Sequence, residues 1–215
     1  MRVLEDVWDR IRAAASRSGR EDLPTLIAVS KRQPVEAIRP LLEAGHRDFG
    51  ENRVEEAGEK WPTLREEYPD VRLHMVGQLQ SKKTAQALEL FDAIHSLDRA
   101  SLLEALVKEW EKGARLPDLF VQVDLGDEEQ KAGVAPAALD AFLLACREKS
   151  LSIHGLMCLP PANLEASPFF AFLAELARRH DVTGLSMGMS GDVEEAVMLG
   201  ATHVRVGTAL FGDRP

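Results

Sequence analysis

The chain has 215 residues, 45% of them hydrophobic, which suits one globular domain with a large core over residues 1–215 and leaves no comfortable room for a second. A formal net charge of −9, with lysines and arginines scattered among acids, provides no basic field for tracking nucleic acid. No apolar stretch approaches the ~20 residues that span a bilayer, and the start Met1-Arg-Val-Leu-Glu-Asp6 lacks a secretory apolar core. Cys146 and Cys158 have neither metal-ligand nor CxxC spacing, so the expectation is a cytoplasmic protein with reduced thiols and no membrane anchor. The charge balance and the lack of an exposed apolar stripe point to a monomer.

From Val3 to about Ser18, the residues Leu4, Val7, Trp8, Ile11, Ala14 and Ala15 recur at helical spacing, which predicts an amphipathic N-terminal helix. Eight short β-branched runs follow: Leu26–Lys31, Asp48–Glu51, Arg72–Gly77, Ala93–Leu97, Leu119–Leu125, Ile153–Leu159, Gly184–Met189 and His203–Phe211. Helical patterns begin near Pro34, Arg53, Ser81, Arg99, Pro136, Glu165 and Asp192, with Gly45 and Gly200 where helices should stop. Eight alternating strands predict a (β/α)8 TIM barrel over a doubly wound open sheet. The chain ends at Pro215 with no room expected for a helix after the eighth strand, so the N-terminal helix is expected to cover that gap.

Functional residues of such barrels gather where the strands end. Those ends are polar here: Lys31, Glu51-Asn52, Gly77-Gln78, Asp124, Met187-Gly-Met-Ser190, and Arg205 with Gly207 and Thr208. Alternation puts Ile27, Val29 and Lys31 on one strand face, so Lys31 points into the mouth above an apolar floor. Desolvation and a neighbouring cation such as Arg205 make an amine a better Schiff-base nucleophile. Taken alone, Lys31 reads as a strand-end lysine paired with Glu51 or Asp124. Together with Thr208, the backbone N–H groups after Gly207, and Ser190 as an N-cap of the next helix, it marks a site for a phosphorylated carbonyl compound.

Other residues read as structural. The histidines lack metal-ligand spacing, so no metal is assigned, and His74 and His154 are expected as hydrogen-bonded strand residues. Gly126-Asp-Glu-Glu-Gln130 reads as a solvated loop, Cys158 as a buried thiol, and Trp8, Trp61 and Trp110 as core or covering residues.

The phrases Ala28-Val-Ser-Lys31, Phe49-Gly-Glu-Asn52, His74 with Gly77 and Leu79-Gln-Ser81, Leu185-Ser-Met-Gly-Met-Ser190 and Val204-Arg-Val-Gly-Thr-Ala-Leu-Phe-Gly212 run through the whole chain in order. Together they resemble the pyridoxal phosphate homeostasis protein family, single-domain relatives of alanine racemase. The resemblance implies a fold-type-III barrel, like the alanine racemase N-terminal domain, with pyridoxal 5′-phosphate (PLP) on Lys31 as a Schiff base. It also implies phosphate contacts from Ser186, Ser190, Gly207 and Thr208, Asn52 near the ring, and Arg205 against the pyridine nitrogen or close to the phosphate. A guanidinium on that nitrogen has no proton to give, which leaves the ring a weak electron sink. Arg53, Leu73, Lys82 and Asp124 depart from the usual family wording, and Asp124 brings a possible negative charge to the mouth.

A racemase of this kind needs a second base. The one tyrosine, Tyr68, precedes the third strand and so belongs at the bottom of the barrel. The resemblance and the missing base together imply a non-catalytic PLP carrier in intracellular homeostasis, which buffers, protects or delivers the cofactor to PLP-dependent apo-enzymes. A slow amino-acid racemase is the alternative, and a Schiff-base aldolase on a phosphorylated sugar ranks behind it.

Overall fold

In the computed structural model, residues 2–126 and 132–212 are described, so the acidic stretch Asp127–Gln130 lies outside the described residues. The strands are β1 (Thr25–Val29), β2 (Asp48–Glu51), β3 (Arg72–Met75), β4 (Ala93–Leu97), β5 (Asp118–Gln122), β6 (Ile153–Met157), β7 (Gly184–Ser186) and β8 (His203–Val206). All pair in parallel with their neighbours in chain order, and β8 returns to β1 through Thr25↔His203 to Ala28↔Val206, closing the barrel. Helices α1 (Arg2–Arg17), α2 (Val35–Glu43), α3 (Val54–Glu67), α4 (Thr84–Leu90), α5 (Ala100–Glu111), α6 (Leu139–Glu148), α7 (Ser167–Arg179), α8 (Val193–Met198) and α9 (Thr208–Phe211) surround it, and 3₁₀ turns at Ser81–Lys83 and Pro136–Ala138 lead into α4 and α6.

Strands β2 and β4 match the expected runs, and the other six end earlier than the runs suggested. Lys31 stands in a turn beyond β1, and the run expected as one strand from His203 to Phe211 breaks at Gly207. There the backbone (φ −115°, ψ −75°) turns into α9, so a helix does follow the last strand, contrary to expectation. The N-terminal helix packs against α8 and α9, burying Leu4, Val7, Ile11, Ala14 and Ala15. Arg10 fixes it to Glu194 at 2.6 Å. Arg20, just beyond α1, donates to the carbonyls of Val197 and Ala201 at the end of α8.

Alternation divides the core in two. Leu26, Ala28, Phe49, Leu73, Val121, Leu156, Val204 and Val206 join the helices in one apolar layer between sheet and helices. The opposite faces carry Ile27, His74, His95, Phe120, Ser186 and Arg205, so the barrel interior is polar where such barrels are usually filled by aliphatic layers. Phe120 stacks on His95 with ring centroids 4.2 Å apart and meets His203 edge-on at 5.0 Å. A Cβ on Gly155 would come within 2.5 Å of the Phe120 ring, which is why that strand position is bare.

Among the described residues, no helix is long and apolar enough to cross a membrane, and no group of three or more His, Cys, Asp or Glu side chains could hold a metal ion.

Candidate functional site

The exit of β1 is pinned from below. Ser30 donates its N–H to Gly50 O (2.9 Å) and its hydroxyl to Glu51 Oε1 (2.8 Å), while Lys60 Nζ donates to Ser30 O (3.0 Å). Glu51 is fully buried, and its Oε1 also takes Lys60 Nζ (2.7 Å) and Trp61 Nε1 (3.1 Å). Burial pushes its carboxyl above the usual range and outweighs the opposing pull of Lys60, Ser30 and Trp61. Trp61, read from the sequence as a core residue, is thus also a donor. After Lys31, the chain reverses through Arg32 at φ +60°, a strained value for a non-glycine residue, with its N–H held by Glu56. These contacts set the backbone from which Lys31 enters the barrel mouth.

There Lys31 lines a cavity of about 360 Å³ with Val29, Asn52, Ser190, Arg205, Gly207 and Thr208, walled on the outside by Val76, Leu159 and Met189. Exposure rises along the end of β8: Arg205 is buried, Gly207 half-buried and Thr208 exposed. A Cβ on Gly207 would stand 3.5 Å from Val29 O, an ordinary contact distance, so Gly207 lies directly against Val29 in the lining. Asn52 reaches its place because Gly77 lets the strands cross closely: a Cβ there would lie 2.4 Å from Asn52 O. Asp124, the departure expected to matter, lines an adjoining hollow with Asn52, Gln78, Gln122 and Leu159, and its Oδ1 accepts Gly126 N–H at 3.1 Å.

Arg205 is buried, and among the described residues it has no carboxylate in contact. Its Nη1 donates to Ser186 Oγ at 2.6 Å and its Nη2 to Cys158 O at 2.9 Å. Burial lowers its pKa. Burial pushes the neighbouring Cys158 thiol up to about 12, so it sits there as a neutral group, as its sequence position suggested.

The two serines sort differently from expectation. Ser186, expected at the phosphate, is fully buried beneath Arg205 and spends its hydroxyl between Arg205 and His95, away from the cavity lining. Ser190 does line the cavity, yet it caps a different helix: its Oγ accepts Ala209 N–H of α9 at 3.3 Å. The residue at the start of α8 is Asp192, whose Oδ1 accepts Met189 N–H. Gly188 at φ +92° turns the chain between the serines and breaks the alternation that would otherwise put them on equivalent faces. Tyr68 lies where expected, before β3 at the opposite end, with Arg47 5.4 Å over its ring.

Residues 4–215 match the family described as alanine racemase, N-terminal domain. The pyridoxal phosphate homeostasis proteins of Vibrio cholerae and Escherichia coli K12 are each 38% identical to this chain over 98% of it, covering 94% and 95% of their own lengths. The chain belongs to this family. Among solved structures, PipY of Synechococcus elongatus PCC7942 with PLP bound is 42% identical, with a TM-score of 0.81 over 94% of this chain and 99% of PipY. Clostridium difficile alanine racemase, 14% identical with a TM-score of 0.70 over 96% of this chain and 57% of the racemase, shares the fold.

Sequence reasoning missed Glu51 with Lys60, His95 and Asp48. For the first pair a signal existed, a glutamate closing a strand nine residues before a lysine on the following helix. For the others it was a histidine in each of β3, β4, β6 and β8.

Proposed function

We propose that this protein binds PLP in the cavity at the barrel mouth, holds it covalently through Lys31, and buffers, protects or delivers it to apo-enzymes as a monomer without catalysing a reaction of its own. The observation that carries this reading is the convergence of Lys31, Arg205, Ser190, Gly207 and Thr208 on one cavity. PLP supplies an aldehyde that condenses reversibly with amines. The residues present fit such a group: one amine, one permanent cation, and hydroxyl and backbone donors at the start of α9. The relatives named for PLP homeostasis, and PipY with PLP bound, support it.

Lys31 provides the nitrogen for the aldehyde. Ser190, the Gly207 backbone and Thr208 hold the phosphate at the exposed rim, and Asn52 borders the ring. Arg205 is buried two residues before Gly207 at the end of β8, so it would serve the ring nitrogen rather than the phosphate. A guanidinium there leaves the nitrogen without a proton and weakens the ring as an electron sink. Ser186 acts one step back by holding Arg205. The rim residues Leu159 and Met189 are 37% and 39% exposed, so an acceptor amine reaches the cavity from solvent. Such access also weakens electrostatic stabilisation of any reaction.

Incubation of the PLP-loaded protein with L-alanine in deuterated water separates carrier from racemase. A carrier leaves the α-hydrogen in place and reactivates an added PLP-dependent apo-enzyme. Incorporation of α-deuterium, with inversion to D-alanine, would instead establish the racemase.

A further inference from the structure

Below the cavity, four hydrogen bonds, three of them buried, join five side chains from one end of the barrel to the other. Arg205 Nη1 meets Ser186 Oγ at 2.6 Å, and Ser186 Oγ meets His95 Nδ1 at 2.7 Å. His95 Nε2 meets His74 Nδ1 at 3.0 Å, and His74 Nε2 meets Asp48 Oδ1 at 3.0 Å. Strands β8, β7, β4, β3 and β2 contribute one member each. Arg205, Ser186, His95 and His74 are 4%, 0%, 0% and 1% exposed, so water does not substitute for the three links among them. Asp48 stands at the opposite mouth, where its side chain is 27% exposed.

The ends of this chain fix its direction. The Asp48 carboxylate only accepts, so a neutral His74 gives it Nε2–H and accepts at Nδ1. A neutral His95 likewise accepts at Nδ1, and Ser186, which accepts from Arg205, gives its single proton to His95. His95 is then neutral with its proton on Nε2, which it gives to His74 Nδ1. His74 in turn carries its proton on Nε2 and gives it to Asp48, a carboxylate that only accepts. The electrostatics agree. Burial, with the charge of Arg205 against it, holds His95 well below the usual histidine range. Burial pushes the Asp48 carboxyl up, but the bond from His74, with the charge of Arg72, outweighs it and leaves it below the usual range.

We propose that Asp48, His74, His95 and Ser186 form a one-directional hydrogen-bond relay that orients Arg205 toward the cavity and links that buried cation to a carboxylate at the far end of the barrel. His95 and His74 are positioning residues: neither lines the cavity, and each acts through the next. Without the relay, the Ser186 hydroxyl would be free to rotate, and the Arg205 fork would keep only the Cys158 carbonyl as a fixed acceptor among these contacts. The relay's existence is independent of what the cavity binds; its effect on PLP rests on the proposed function.

Two-bond nitrogen–proton correlation spectra of the ¹⁵N-histidine-labelled, ligand-free protein at pH 7.5 read the relay directly. Both His74 and His95 are expected as neutral Nε2–H tautomers, and the Nδ1–H form of either overturns the relay. Its action on the site is read by PLP titration. Asp48→Leu removes the last acceptor and is expected to weaken PLP binding about five- to tenfold, the size of one buried hydrogen bond. Asp48→Asn keeps an acceptor oxygen for His74 and is expected to bind within about twofold of the unaltered protein. A folded Asp48→Leu protein that binds PLP as tightly as the unaltered one overturns the positioning role. If neither protein binds PLP while both tautomers are as expected, the proposed function has failed and the relay stands. Should Asp48→Leu not fold, Ser186→Ala, which removes one hydroxyl, carries the same titration with the same expected loss.

Discussion

Lys60→Met cuts the ion pair that anchors the exit of β1, and its cost can be worked from the contacts. The pair lies 2.7 Å apart with side-chain exposures of 11% and 0%, so it is a buried bridge and not a screened surface one. Methionine keeps most of the lysine's apolar stem, so lost packing is minor and the loss is electrostatic. Breaking a buried pair by removing one partner costs about 3–5 kcal/mol, because a charge is left without compensation. Two neutral donors, Ser30 and Trp61, remain on Glu51. The penalty should depend on pH with a defined sign. The Glu51 carboxyl is already raised in the folded protein, and a raised carboxyl contributes stability that is present below its unfolded pKa and lost as pH rises through the folded one. Loss of Lys60 raises it further. Urea unfolding should therefore show about 3–5 kcal/mol of destabilisation at pH 8 and a smaller loss at pH 5, because the raised carboxyl takes up its proton in the folded state before it does in the unfolded one. Glu51→Gln combined with Lys60→Met should recover all but about 1–2 kcal/mol at pH 8. An equal loss at both pH values, or a loss below about 1 kcal/mol at pH 8, would refute the assignment of Glu51 as a charge held by Lys60.

Gly188→Ala should destabilise by about 2–4 kcal/mol in the same assay, since φ is +92° and the new Cβ would stand 2.4 Å from Ala196 Cβ. Acid should destabilise the fold before the carboxylates titrate. Burial, with the charges of His74 and His154, holds His203 down to about 3, and His95 is also strongly lowered. Groups depressed in this way contribute stability above the unfolded histidine pKa that is lost as pH falls from about 6.5. Thermal midpoints should accordingly drop between pH 7 and pH 4.5, and a flat profile would contradict the burial of these imidazoles. Burial pushes the Cys146 thiol up to about 11 and Cys158 to about 12. Neither should react with Ellman's reagent at pH 8 until urea unfolds the protein, so fast native labelling would contradict their enclosure.

The alternation of Ile27, Val29 and Lys31 and the spacing of Arg205 and Gly207 were legible in the chain, and Val29, Lys31, Arg205 and Gly207 line one cavity at the mouth. The eight strands were legible too, although every apolar run except those of β2 and β4 continues into the loop beyond its strand. At Val204-Arg-Val-Gly-Thr-Ala-Leu-Phe211 the β-branched residues read as one strand. Only the turn at Gly207 makes Thr208–Phe211 a helix. Which of Ser186 and Ser190 faces the cavity depends on the backbone of Gly188, and that depends on how closely α8 packs against it, a tertiary fact with no local signal. The relay was out of reach for a similar reason. It depends on the stagger between strands, including the register shifts between β4 and β5 and between β5 and β6, which decide that His95 meets both His74 and Ser186.

The most direct test of the central claim is borohydride reduction of the purified protein after addition of PLP, followed by peptide mass mapping. One reduced pyridoxyl phosphate group on the peptide containing Lys31, and none in Lys31→Ala, is the expected result. Attachment at Lys60 or another lysine, or no added mass at all, would contradict it.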